Sequence, residues 1–108
     1  MILAFALRED NTESLIDPGF GRCSWFGFYD SATSATRFLK NTSGKEPFEA
    51  GKRAAELVSR SGAELVIAGR IGVRAMQYFN DRDIQMVVPA QDMKMIDIIT
   101  IYNRRNRL

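Results

Sequence analysis

The chain has 108 residues, the size of one ordinary domain. A hydrophobic share of 45% with 26% charged residues excludes general disorder, and no apolar run approaches the ~20 residues that cross a bilayer. The net charge of +2 is too small to predict nucleic-acid binding.

The single cysteine, Cys23, rules out an internal disulfide, and the chain has no histidine. Those two facts exclude a Ser-His-Asp triad, a Cys-His dyad, every His-containing metal motif and a structural zinc site within one chain. Cysteine usage points to the cytoplasm. Arg104, Arg105 and Arg107 crowd the last five positions. The reading is therefore a single domain over residues 1–103 and a basic tail over 104–108, which is either simply solvated or available to an anionic partner.

The first segment, Met1–Leu7, is apolar without alternation. It is too short for a signal peptide and reads as a strand buried on both faces. Residues 8–22 form a long loop containing Pro18, Gly19 and Gly21; loops of this length in compact domains tend to carry function. Aromatic Ser24–Tyr29 predicts a second strand, Asp30–Ser34 a turn, and Ala35–Lys40 a third strand. Short connections make these three an antiparallel meander. Asn41–Glu46 is a loop, and Asn41-Thr42-Ser43 within it has the form of a glycosylation sequon.

Pro47 suits the first turn of a helix. Phe48, Gly51, Ala55 and Val58 follow at helical spacing, with Ala54 and Leu57 widening the apolar face, and Gly62 stops the helix. Glu64–Ala68 predicts a fourth strand. Residues 69–72 make a tight loop, and Ala75, Met76 and Phe79 mark a second helix ending near Asn80. Ile84–Val88 is a fifth strand, closed by Pro89. Asp92 is placed to cap a third helix from Met93 to about Tyr102, although the run Ile98–Ile101 is β-branched and locally favours strand. Met76, Met86, Met93 and Met95 read as core filler, and Trp25 and Tyr29 as residues packed in the sheet. The order β-β-β-α-β-α-β-α implies a mixed sheet with right-handed parallel crossovers in its second half.

Two glycine loops follow buried strands, Gly19-Phe20-Gly21-Arg22 and Gly69-Arg70-Ile71-Gly72. If strands one and four are parallel neighbours, both loops lie beyond their carboxyl ends, where open α/β sheets bind ligands. Backbone N–H groups at a helix start beside arginine make an anion site. The first loop is not a dinucleotide fingerprint, since Ser24 stands where a third glycine belongs and a strand follows. The second has the form of a KH-type GxxG, but a strand precedes it where a helix is required. A two-metal nuclease needs carboxylates at the strand ends, and strands one and four supply none. No general base or nucleophile–base pair is visible, so a non-catalytic protein is expected. Cys23 beside Arg22 is either a thiolate ligand for a soft metal or a small buried hydrophobe.

Phe20-Gly21-Arg22 with an aromatic strand ending in Asp30 resembles an "hFGRxxxFhhhD" segment. Glu49–Leu57 is similar to a helix of pattern "GxGxxAAxxL". Gly62–Gly72, with Ala75, resembles "GvdvvItGxiGpnA". Together these patterns are those of the dinitrogenase iron–molybdenum cofactor biosynthesis family, and the resemblance spans about residues 2–103.

It implies a ribonuclease H-like α/β fold, with a five-stranded mixed sheet in the order 3-2-1-4-5 flanked by three helices. It also implies an accessory protein that carries an anionic iron–molybdenum or other metal–sulfur cluster, with a protein partner in cofactor assembly; the low net charge and the lack of a long apolar run add the expectation of no nucleic acid and no membrane. Typical members of that family have a His just before the FGR segment, and here that position is Gly19. The expected site is therefore Gly21, Arg22, Cys23, Gly69, Arg70 and Gly72, with Cys23 as the metal ligand. The alternatives on the same fold are a metal-free sensor of small anions and a protein-interaction domain.

Overall fold

The computed structural model describes residues 1–46, 48–89 and 92–106. Its elements are β1 (Ile2–Leu7), β2 (Trp25–Asp30), β3 (Ala35–Lys40), α1 (Ala50–Arg60), β4 (Ala63–Ile67), α2 (Val73–Asn80), β5 (Gln85–Val87) and α3 (Met95–Arg105). The five strands form one mixed sheet in the order β3-β2-β1-β4-β5. The expected meander is present, with β2 antiparallel to both β1 and β3, and β1, β4 and β5 run parallel.

The central strand organises both layers. Leu3 to Leu7 have no exposure at all. Because side chains alternate across a strand, β1 feeds two separate cores. Ala4 and Ala6 join Phe26, Phe28, Val66 and the inner faces of α1 and α2. Leu3, Phe5 and Leu7 join Tyr29, Ile67 and the α3 residues Met95 and Ile99. The result is a three-layer sandwich. The α1/α2 side is built on alanines, including Ala54, Ala55 and Ala75. Small side chains on both partners bring these helices close to the sheet, so their amino ends arrive close to the loops at its carboxyl edge.

Several boundaries differ from the sequence reading. Phe48, expected on the buried helix face, precedes α1 and is 80% exposed; the helix begins two residues later, and Ala50, Ala54, Ala55 and Val58 supply the apolar stripe. The expected place of Pro47 in the first turn lies outside the described residues. Met76, expected in the core, is 42% exposed, whereas Met95 is fully buried. Gly62 ends α1 as expected, at φ +83°, a backbone region that glycine enters without steric penalty.

Lys94 rather than Asp92 is the N-cap of α3, and the side chain of Asp97 accepts the Lys94 backbone N–H at 3.1 Å. The β-branched run remains helical because Met95 and Ile99 bury against the sheet, which outweighs local propensity. Arg104 and Arg105 close the last turn of α3 rather than forming a tail, where positive charge complements the helix dipole. Arg107 lies outside the described residues.

The long loop after β1 is ordered by its own bonds. Ser14 is buried, and its Oγ accepts the backbone N–H groups of Arg8 (3.1 Å) and Glu9 (3.0 Å). Further on, Phe20 is driven into the core at 1% exposure. Its ring lies 5.4 Å from those of both Phe26 and Phe79. It is therefore the apolar pin that holds the loop against the α1/α2 layer. Phe20→Ala is expected to destabilise the protein by about 3–5 kcal/mol, and Phe20→Leu by much less. Urea unfolding with an unchanged slope would check this; a cost under about 1 kcal/mol for the alanine variant would show that the loop needs no such pin.

Candidate anion-binding cleft

The loop at residues 19–22 and the start of α2 are stitched together by one backbone bond, in which the N–H of Phe20 donates to the carbonyl of Arg70 at 2.9 Å. α1 runs back against the parallel strands, so its amino end comes to the same edge. Gly21 lies directly on it: a Cβ there would stand 3.0 Å from both the Cα and the N of Gly51. Glycine is needed at position 21 for this close approach.

These three pieces enclose an open cleft of about 520 Å³. Its walls include Gly21, Arg22, Arg70, Gly72, Arg74 and the first turn of α1 at Ala50 and Gly51. Neither helix start is satisfied by a side chain, and neither first turn holds an acidic residue. The first helical bonds come from Arg53 N–H to Glu49 and from Met76 N–H to Gly72. The N–H groups of the preceding turns therefore have no acceptor within their helices. Two positive helix ends and three arginines thus line one concavity. Glu49, on the rim, forms an ion pair with Arg74.

The structure brings together four of the six residues expected in the site. Gly21, Arg22, Arg70 and Gly72 line the cleft. Gly69 does not. It faces a separate hollow lined by Arg8, Pro18 and Asp92 among others, and its N–H donates to the carbonyl of Asp17 at 3.0 Å. A Cβ on Gly69 would come within 2.7 Å of Pro18 Cα, so this glycine is required by chain crossing rather than by a ligand in the cleft. Gly72 has open space around it.

Cys23 lies behind the cleft. It is 2% exposed within the α1/α2 core, and burial together with the nearby Asp17 carboxylate pushes its thiol up to about 12. The expectation of a thiolate ligand at Cys23 therefore meets a neutral, enclosed thiol, which is the small-hydrophobe alternative. Among the described residues, no three His, Cys, Asp or Glu side chains cluster in a way that could hold a metal ion.

Sequence reasoning missed Glu49, Arg74 and Asn41. Asn41 is buried, and its Nδ2 donates to the carbonyls of Gly21 (3.1 Å) and Cys23 (2.9 Å), while its Oδ1 accepts the N–H of Ser43 (3.0 Å). It satisfies two loop carbonyls and so ties the 21–23 segment to the loop after β3. The sequon-like triplet is thus an internal staple. Arg22 adds a second tie by donating through a guanidinium nitrogen to the carbonyl of Gly44 at 2.7 Å.

The Nitro_FeMo-Co family, described as dinitrogenase iron-molybdenum cofactor, matches residues 1–104. The chain belongs to this family. Among solved structures, it is similar to the apo form of the orange protein from Desulfovibrio gigas, at 25% identity and a TM-score of 0.90 over 96% of this chain and 88% of that one. It is also similar to PH0822, at 25% identity and a TM-score of 0.78 over 94% and 89% of the two chains. TM1290 from Thermotoga, of the DUF35 family, shares the fold at 16% identity and a TM-score of 0.80 over 95% and 87%. No curated protein matches the chain.

The buried thiol has a measurable consequence. Cys23 stays protonated in the folded protein well above the pKa of about 9 it has when unfolded. Its contribution to stability is therefore complete below about pH 9 and is lost as pH rises towards about 12. Native protein is expected to lose stability relative to Cys23→Ala over that window, and to react with a thiol reagent at pH 8 only after unfolding. Rapid labelling of the folded protein at pH 8 would place the thiol at the surface.

Proposed function

We propose that this protein is a non-catalytic carrier of an anionic metal–sulfur cluster, held as cargo in the cleft by charge and backbone N–H groups rather than by a protein thiolate. The observation that carries the reading is the convergence of two uncapped helix starts with Arg22, Arg70 and Arg74 on one concavity. Membership of the dinitrogenase iron–molybdenum cofactor family supports cofactor assembly as the setting. The likeness to a protein solved in an apo form supports a ligand-carrying role for the fold.

The donor set suits such a cargo in charge. Thiometallate and iron–sulfur species carry negative charge delocalised over sulfur, and guanidinium groups are weakly hydrated cations with several donors each. It does not suit covalent attachment. Gly19 stands where typical family members carry histidine, and Cys23 is enclosed. Binding through charge alone is reversible and falls with ionic strength, as a protein that hands its cargo on requires. A partner in cofactor assembly and a lack of catalytic activity belong to the same proposal.

Anaerobic titration with tetrathiomolybdate tests it. Native protein is expected to bind, and the double variant Arg22→Gln, Arg70→Gln to bind about tenfold or more weakly at low salt. Cys23→Ala should stay within about twofold of native, because a protonated buried thiol offers no ligand. Loss of binding in Cys23→Ala with the arginine variant unaffected would overturn the electrostatic reading. Equal affinity for tetrathiomolybdate and inorganic phosphate would favour the metal-free anion sensor.

A further inference from the structure

The cleft already contains one anion of its own. Glu49 occupies the N-cap position of α1, where a short polar side chain such as Asp or Ser commonly accepts a backbone N–H of the first turn. It makes no such bond. Its backbone is instead in the left-handed region, at φ 60°, which a residue with a Cβ enters at a cost. From there the carboxylate reaches across the cleft mouth to the guanidinium of Arg74 in the first turn of α2. Both residues line the cleft, together with Arg22 and Arg70. Both are also well exposed, with side chains at 39% and 65% of full accessibility. The pair is therefore not a core interaction that the fold depends on, and an exposed pair of this kind breaks at little cost.

We infer that Glu49 is a built-in counter-anion, which occupies Arg74 when the cleft is empty and competes with the incoming anion for that guanidinium. The inference rests on the reading of the cleft as an anion site and assigns Glu49 as its affinity-setting residue. A carboxylate presents two oxygens to a guanidinium much as a multiply charged inorganic anion presents its own acceptor atoms. Ligand entry exchanges one Arg74 partner for another, and ligand departure returns Arg74 to Glu49 instead of leaving it bare. The carboxylate also repels any anion seated between Arg22 and Arg70. Both effects lower affinity, and both keep the cargo exchangeable.

The test is anaerobic titration of tetrathiomolybdate against native protein, Glu49→Gln and Glu64→Gln. Glutamine keeps the size of Glu49 and the same left-handed backbone cost while removing the charge. Glu64 is exposed at the start of β4, at the other end of that parallel strand from the cleft edge, and its variant makes the same change in net charge. Glu49→Gln is expected to bind about fivefold or more tightly than native at low ionic strength, with the gain shrinking as salt screens the cleft. Glu64→Gln should match native. A gain of affinity cannot come from misfolding, so the expected direction is itself diagnostic. Unchanged or weaker binding by Glu49→Gln, with native binding intact, overturns the counter-anion and leaves the cleft reading standing. An equal gain in Glu64→Gln assigns the effect to net charge and also overturns it. Absence of binding in all three proteins overturns the cleft reading and the inference with it.

Discussion

The complete burial of β1 on both faces is the constraint from which the rest of the molecule follows. A strand with no exposed side chain from Leu3 to Leu7 must be covered twice. The odd residues call for α3, and the even residues for α1 and α2. Alanines at the even positions set the spacing of the second layer. Because Ala4 and Ala6 face Ala54, Ala55 and Ala75 in one shared core, the helices lie close enough for their first turns to meet the loop that leads into β2. The contact of Gly21 with Gly51 is the far end of that arrangement. The cleft is thus a by-product of close packing: it forms where two helix starts are drawn to the carboxyl edge of a parallel sheet.

The chemistry of the cleft follows from what is left unpaired there. Backbone carbonyls of the 19–23 loop are turned inward and bonded by Asn41, while the N–H groups of the first turns of α1 and α2 have no side-chain caps. The donors and arginines thus line the cleft, while the Gly21 and Cys23 carbonyls are bonded internally. A histidine at position 19 would add a directed metal bond to these groups. With glycine there, the cleft offers arginines and backbone N–H groups without an imidazole.

Much of the fold was legible because its signals were redundant. The unbroken apolar run of β1 could bury only in the middle of a sheet, and the five-strand order was implied by the family resemblance and is the one observed. Errors fell where a single residue was ambiguous. Phe48 lies three residues before Gly51, close to one helical turn, so spacing alone could not tell an approaching loop from the helix itself. Asp92 is by residue type a better N-cap than Lys94, yet Lys94 takes that position and Asp97, three residues on, accepts its backbone N–H.

In the site, the glycine–arginine loops pointed to the right edge of the sheet, yet residue type could not say which face each side chain took. Gly69 and Gly72 are three positions apart in one loop and end in different hollows. Cys23 follows Arg22 directly, yet in the turn before β2 Arg22 is exposed and Cys23 is buried in the core. Glu49 and Arg74 could not be paired from sequence at all, because 25 residues and a strand separate them.

The central claim is that anions bind between Arg22, Arg70 and the amino ends of α1 and α2. Crystals soaked anaerobically with tetrathiomolybdate and measured at the molybdenum absorption edge test it most directly. The account predicts one anomalous peak in that cleft, with no density bonded to Cys23. A peak on the Cys23 sulfur, or one confined to the hollow beside Gly69 and Arg8, would contradict it.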